Sequence, residues 1–250
     1  GVQTCALPIW LAFFSDKDTM MNLANVWWNS SSSYTLASLP LFVWMGEILF
    51  RTKLSEQMFT GLSPWLNWLP GRLMHVNILG CGIFGSVSGS SAATCATIAK
   101  SALPELTKRG YDEKITLGSL SCAGTLGILI PPSITMVVYA VAADQSIIRI
   151  FLAGFIPGAI LMGLFSGYII IWALLNPDKT PPAEKYSIRQ RLHSIGQLVP
   201  CTALIVFIAW LMLAGYSTAT EAAAYGVVGS LILAAAGRNL SLTNIWQSLL

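Results

Sequence analysis

Two clusters of helix-breaking residues, both embedded in apolar sequence, are where this chain could do chemistry. The first is Gly85-Ser86-Val87-Ser88-Gly89-Ser90-Ser91, in the middle of the apolar stretch Leu73–Leu106. Glycine and serine are poor residues for a helix interior, so the helix is expected to stop and restart here, exposing hydroxyls together with freed carbonyls. The second is Gly127-Ile128-Leu129-Ile130-Pro131-Pro132. The two prolines cannot donate backbone hydrogen bonds, so carbonyls about one turn earlier, around Gly127 to Leu129, lose their partners. An oxygen-only set of this kind suits a small hard cation such as Na⁺. Candidate ion-binding positions are Ser86, Ser88, Gly89, Ser90 and Ser91 on one side and Gly127, Ile130 and Pro132 on the other. Small residues in membrane helices are more often devices for close packing. The coincidence of two breaks favours the ion, because unsatisfied backbone at membrane depth costs several kcal/mol per group unless protein, water or a ligand meets it.

The elements around these breaks read as membrane helices. The chain is 54% hydrophobic and only 10% charged, with mean hydropathy +0.65, so most of it is expected to be solvated by the lipid bilayer. Tyr34–Phe50 is an apolar run closed by Arg51 and Lys53, near the length that crosses a hydrocarbon core of about 30 Å. Met58–Gly71, with Trp65, Trp68, Pro64 and Pro70, reads as a surface-lying or connecting segment. Ile115–Ala143 is broken at Pro131-Pro132, Ile147–Leu175 contains a Pro-Gly step at Pro157-Gly158, and Asn176–Gly196 is polar. Two more helices follow, Gln197–Tyr216 and Glu221–Ala236. Lys108, Arg109, Lys114, Lys179, Lys185, Arg189, Arg191 and Arg238 then fall on one face, against Arg149 alone on the other, which makes the basic face cytoplasmic. Arg51 and Lys53 join that face if the stretch between them and Lys108 enters the membrane and returns, as a re-entrant hairpin with its tip at the glycine-serine cluster would.

Other chemistry is disfavoured. The cysteines (Cys5, Cys81, Cys95, Cys122, Cys201) lack metal or disulfide spacing, and His75 and His193 stand far apart, so no metal centre other than sodium and no cofactor is expected. No phosphate-binding G-x-x-x-x-G-K-[ST], no nucleophile elbow and no pair of intramembrane carboxylates is present, so the chain is read as a non-enzyme. The scattered basic residues exclude a nucleic-acid partner. Glu47 is expected to contact Arg51 one turn on, and Glu221 to cap a helix. Lys100 and Glu105 flank Pro104 and are expected to anchor the exit of the hairpin. The tryptophans suit interface belts.

Gly85-Ser86-Val87-Ser88-Gly89-Ser90-Ser91-Ala92-Ala93-Thr94, Gly110-Tyr111-Asp112, Gly124-Thr125-Leu126-Gly127-Ile128-Leu129-Ile130-Pro131-Pro132-Ser133 and Thr220-Glu221-Ala222-Ala223-Ala224 together resemble, in order and spacing, the large membrane (permease) subunit of tripartite ATP-independent periplasmic (TRAP) transporters. Ala219 departs from the family's usual proline in the turn before Glu221. The resemblance implies an all-α polytopic protein of the bacterial cell inner membrane, an elevator-type transporter half with a re-entrant helical hairpin and a Pro-Pro broken helix. It implies sodium-coupled secondary active uptake of organic acids of the C4-dicarboxylate, sialic acid or sugar-acid type. Partners would be a small TRAP membrane subunit and a periplasmic substrate-binding protein; the organic acid substrate would meet Ser91, Thr94 and Ser133. The alternative is an elevator carboxylate transporter that needs no binding protein. Five segments follow. Residues 1–9 match a reading frame of a sequencing-library adapter and are expected to be foreign; 10–71 are partial N-terminal scaffold helices and an interfacial segment; 72–143 are the ion-binding hairpin and broken helix of the first repeat; 144–196 are a scaffold helix and cytoplasmic loop; 197–250 are the start of a second repeat, cut short, whose own hairpin is expected beyond Leu250.

Overall fold

The computed structural model describes residues 34–52, 54–182 and 186–237 continuously, with Met21, Ala24, Asn25, Trp27, Trp28, Ser32 and Ser248 besides. The adapter-like residues 1–9, Lys53, Lys185 and Arg238 lie outside the described residues.

Among the described residues the chain is helical throughout, with no strand. A 3₁₀ turn at Tyr34–Ala37 leads into α1, Ser38–Phe50. Pro40 lacks the N–H that would reach back to Leu36, so α-helical bonding cannot begin earlier. At 13 residues α1 is about 20 Å long, less than a hydrocarbon core. Glu47 and Arg51 pair at 2.8 Å at its end, as expected of this spacing. Next comes α2, Leu54–Leu66. The stretch expected to be surface-lying or connecting is in large part buried: Met58, Phe59, Leu62 and Leu66 form a helical stripe in the core, while Thr60, Trp65 and Trp68 look outward. The stripe has amphipathic helical spacing, a signal that Pro64, Pro70, Trp65 and Trp68 mask in the sequence.

The hairpin follows: α3, Met74–Ser88, and α4, Ser91–Lys108, meet at a two-residue turn. Every residue of α3 except Leu79 and Ile83 is buried, so this arm is the axis of the fold, touching α1, α2 and α4. The broken segment comprises α5 (Glu113–Gly124), a single turn α6 (Leu126–Leu129) and α7 (Ile134–Ala142), bent by 41° at the double proline.

Among the described residues, three helices are long and apolar enough to cross a membrane: α8 (Ile147–Leu175), α9 (Ile188–Leu213) and α10 (Ala219–Ala236). The bent pair makes a fourth if counted as one span. Pro157 does not interrupt α8, which runs for 29 residues through it. The polar stretch also ends earlier than its charge suggests, because α9 begins at Ile188 under a Ser187–Gln190 capping box, taking Arg189 and Arg191 into the helix. α10 starts with a second capping box, Thr218 with Glu221, whose carboxylate accepts from the Thr218 N–H at 2.8 Å. Glu221 therefore caps as expected.

Two apolar clusters divide the core. One is built on α2 to α6 and reaches Ile169 of α8 and Cys201 of α9. The other joins α1, α7, the start of α8, α9 and α10. Between them, Gly46 of α1 abuts the hairpin tip: a methyl there would lie 3.0 Å from both the Ser88 Cα and the Val87 carbonyl oxygen.

Candidate functional site

The hairpin turns because Gly89 takes the left-handed conformation (φ 59°), closing α3 through its N–H to the Gly85 carbonyl at 2.9 Å. Ser90 is extended and caps α4, its side chain accepting from the Ala93 N–H. A side chain at Gly89 would also strike Ile134, its Cβ 2.9 Å from the Ile134 backbone nitrogen. Thus the tip of the hairpin lies on the start of α7, immediately after the double proline.

One turn back the contact is closer still. A Cβ on Gly85 would sit 2.5 Å from the Gly127 Cα, and one on Gly127 would sit 2.8 Å from Thr94 Oγ1 and 3.3 Å from the Ser90 carbonyl oxygen. Only glycine at both positions lets the two backbones touch. The oxygens gathered there are hydroxyls and carbonyls. Ser88 Oγ and Thr94 Oγ1 are 2.5 Å apart, and the Ser88 hydroxyl also reaches the Ser90 carbonyl at 3.3 Å. The Ser90 carbonyl further accepts from the Thr94 N–H at 3.0 Å. Ser88, Ser90, Thr94, Gly127 and Gly89 are brought together; Ser91 opens α4 beside them, its carbonyl toward Gly124.

The remaining sequence-predicted residues point elsewhere. Ser86 donates back to the Ile83 carbonyl at 2.7 Å and lines a separate, apolar cavity of about 290 Å³ with Ile130 and Pro131. The Ile130 side chain packs against Gly82 and Gly158. Pro132 is buried beside Pro131, with which it forms a cis peptide. Ser133 is 1% exposed and donates to the Ile128 carbonyl at 2.9 Å. The carbonyls freed by the prolines are therefore not all available: Ile128 is taken by Ser133, and the Leu129 carbonyl faces Gly154 of α8 at 3.1 Å from its Cβ position. Gly127 is the residue of this segment whose backbone lies against the hairpin, near Gly85, Thr94 and the Ser90 carbonyl.

Thr94, expected as a substrate contact and not among the ion-site candidates, joins this oxygen cluster. It stands four residues past the tip, and Ser88 is its hydroxyl partner only because α3 and α4 fold back on each other. Glu105 pairs with Arg109 at 2.7 Å, while Lys100 is exposed. Among the described residues no cluster of metal-binding side chains occurs.

Residues 2–250 match the family model described as "Tripartite ATP-independent periplasmic transporter, DctM component". The chain belongs to the DctM family. The C4-dicarboxylate TRAP transporter large permease protein DctM of Pseudomonas aeruginosa is 34% identical over 217 residues, 87% of this chain and 50% of the relative. The ectoine/5-hydroxyectoine TRAP transporter large permease protein UehC of Ruegeria pomeroyi is 30% identical over 215 residues, 86% of this chain and 50% of its own. The 2,3-diketo-L-gulonate TRAP transporter large permease protein YiaN of Escherichia coli is 28% identical over 246 residues, 98% of this chain and 56% of its own. The chain spans about half the length of these DctM-family relatives. It is a multi-pass membrane protein, and its family is one of transporter permeases, not of enzymes.

Proposed function

We propose that this chain forms part of a sodium-coupled importer of organic acids in the bacterial inner membrane. It works with a small TRAP membrane subunit and a periplasmic substrate-binding protein that delivers a C4-dicarboxylate, sialic acid or sugar acid. The observation that supports the reading is the backbone contact of Gly85 with Gly127, beside which lie the Thr94 hydroxyl and the Ser90 carbonyl, with Ser88 hydrogen-bonded to Thr94. Sodium at this point replaces backbone partners that neither helix end can supply, as at the discontinuous helices of other secondary transporters. Ser88 and Thr94 contribute hydroxyls; Ser90 and Gly127 contribute carbonyls; Ser91, at the open start of α4, is the residue offered to the substrate.

Binding of sodium joins the two breaks, so ion occupancy sets whether hairpin and broken helix move as one body past α1, α9 and α10. The family assignment does not favour the reading without a binding protein. The test is uptake into liposomes holding the full-length protein with its two partners. Uptake should follow a sodium gradient, and Ser88→Ala should raise the sodium concentration for half-maximal uptake more than it lowers protein abundance. Uptake indifferent to sodium would refute the coupling; equal loss of both would return Ser88 to packing.

A further inference from the structure

Away from the hairpin tip, a cavity of about 640 Å³ opens between α5 and α8, floored by Ile78 of α3. Its α8 wall is a stripe of Leu164, Phe165, Tyr168, Ile169 and Trp172, about 12 Å long at the rise of an α-helix. Leu164 and Tyr168 are 64% and 62% exposed, so the wall is open to the surroundings of the helices. Gly118 of α5 lines it, and a methyl there would meet nothing within 4 Å.

One end is different. Lys114 and Lys179 line it with Asp112, leaving a net charge of +1 on the lining residues. Asp112 is already engaged as the cap of α5, accepting from the Lys114 and Ile115 N–H groups at 3.1 and 3.2 Å, and Lys179 approaches its other oxygen only to 3.6 Å. Both lysines lie on the basic face of the molecule, and Tyr168 and Trp172 are of the type that sits at headgroup depth. The groove is amphiphilic along its length, cationic at the basic surface and apolar towards the membrane interior.

We propose that this groove binds one anionic phospholipid of the leaflet on the basic side, its phosphate between Lys114 and Lys179 and an acyl chain along the Leu164–Trp172 stripe. A small soluble organic acid would satisfy the lysines and leave the apolar length empty, so the occupant needs both an anion and a chain. Basic pockets between membrane helices on this side of the bilayer select lipid headgroups in this manner. The inference is independent of sodium coupling.

The test uses the full-length protein with its partners, exchanged into vesicles of phosphatidylglycerol or phosphatidylcholine, with bound lipid counted by native mass spectrometry. The wild type should retain phosphatidylglycerol preferentially. Replacing both lysines (Lys114→Gln with Lys179→Gln) should lower that preference by about 25-fold, roughly fivefold per lysine. Gly118→Leu, which fills open space with a better helix former, should lose both lipids at a melting temperature no lower than that of the wild type. Cys122, exposed and on the groove wall, should react with N-ethylmaleimide faster in lipid-depleted protein than in phosphatidylglycerol. An unchanged preference in the double glutamine variant, or equal lipid retention after Gly118→Leu, would overturn the proposal. So would a Cys122 that stays unreactive in lipid-depleted protein, since another part of the protein would then cover the groove.

Discussion

Replacing Gly85 by alanine sets two effects of opposite sign against each other. In a helix interior, glycine to alanine stabilises by about 0.5–1 kcal/mol because alanine orders at lower entropic cost. Here the new methyl would lie 2.5 Å from the Gly127 Cα, with the Gly127 nitrogen at 2.9 Å. Carbon atoms rest at about 3.5–4.0 Å, so the hairpin and the broken helix must separate by about 1 Å or more. Both atoms are backbone, so neither can rotate aside. Overpacking of this kind costs about 1–3 kcal/mol, and the net expectation is a loss of up to about 2.5 kcal/mol. Gly118→Ala is the matched control: it too lies inside a helix, yet its methyl meets nothing within 4 Å, so it should only stabilise. Thermal unfolding of the purified full-length protein, with and without sodium, reads both quantities. Gly85→Ala should melt lower than wild type and lose most of the rise in melting temperature that sodium confers, while Gly118→Ala keeps that rise. If Gly85→Ala were as stable as Gly118→Ala and kept the full sodium response, the backbone contact would not be what assembles the site.

Further outcomes follow from other contacts. Thr94→Val removes the hydroxyl that meets Ser88 and should weaken sodium binding at least tenfold, with Thr94→Ser restoring it in the same titration. Ser133→Ala strands the Ile128 carbonyl and should destabilise by about 1–3 kcal/mol in thermal unfolding, leaving the sodium concentration for half-maximal response nearly unchanged. Thr218→Ala removes a cap and should cost about 0.5–2 kcal/mol, seen as faster amide exchange in the first turn of α10. The Asp112 carboxyl is held below the usual carboxylate range, first by the Ile115 N–H and also by Lys179. Its contribution to the start of α5 is therefore complete above the ordinary carboxylate value of about 3.9 and is lost as pH falls through the lowered one. Exchange of the first α5 amides, corrected for intrinsic rates, should lose protection across that acidic window in the wild type and not in Asp112→Asn.

Both breaks were legible because each interrupts apolar sequence with residues that cannot sustain helical bonding, and such interruptions are visible without any knowledge of packing. What each oxygen does there was not. Whether Ser86 faces the tip or its own helix, and whether Ser133 spends its hydroxyl on Ile128, depends on rotamers chosen by neighbours distant in sequence. The start of α9 was hidden by Arg189 and Arg191, which read as loop charge although the Ser187–Gln190 capping box that fixes the helix encloses the first and adjoins the second. The burial of α2 was hidden in the same way, since the partner of its stripe, Leu198 against Gly61, is supplied by α9. Local signals set where helices end; long-range contacts set which side chains are already occupied.

Gly154 and Gly158 stand one turn apart on α8, the first under the Leu129 carbonyl and the second under the Ile130 side chain. Along that line the helix has no knob for the double-proline loop to lock against, and Pro157 between them leaves the Ala153 carbonyl without its usual donor. At these two steps the loop meets bare backbone, with the Met136 side chain filling the space beside Gly154 and Phe151 and Phe155 standing near the prolines. Axial travel of the loop by a single helical pitch would require no rotamer change in α8 at these two steps, whereas bulky side chains there would turn the same seat into a ratchet.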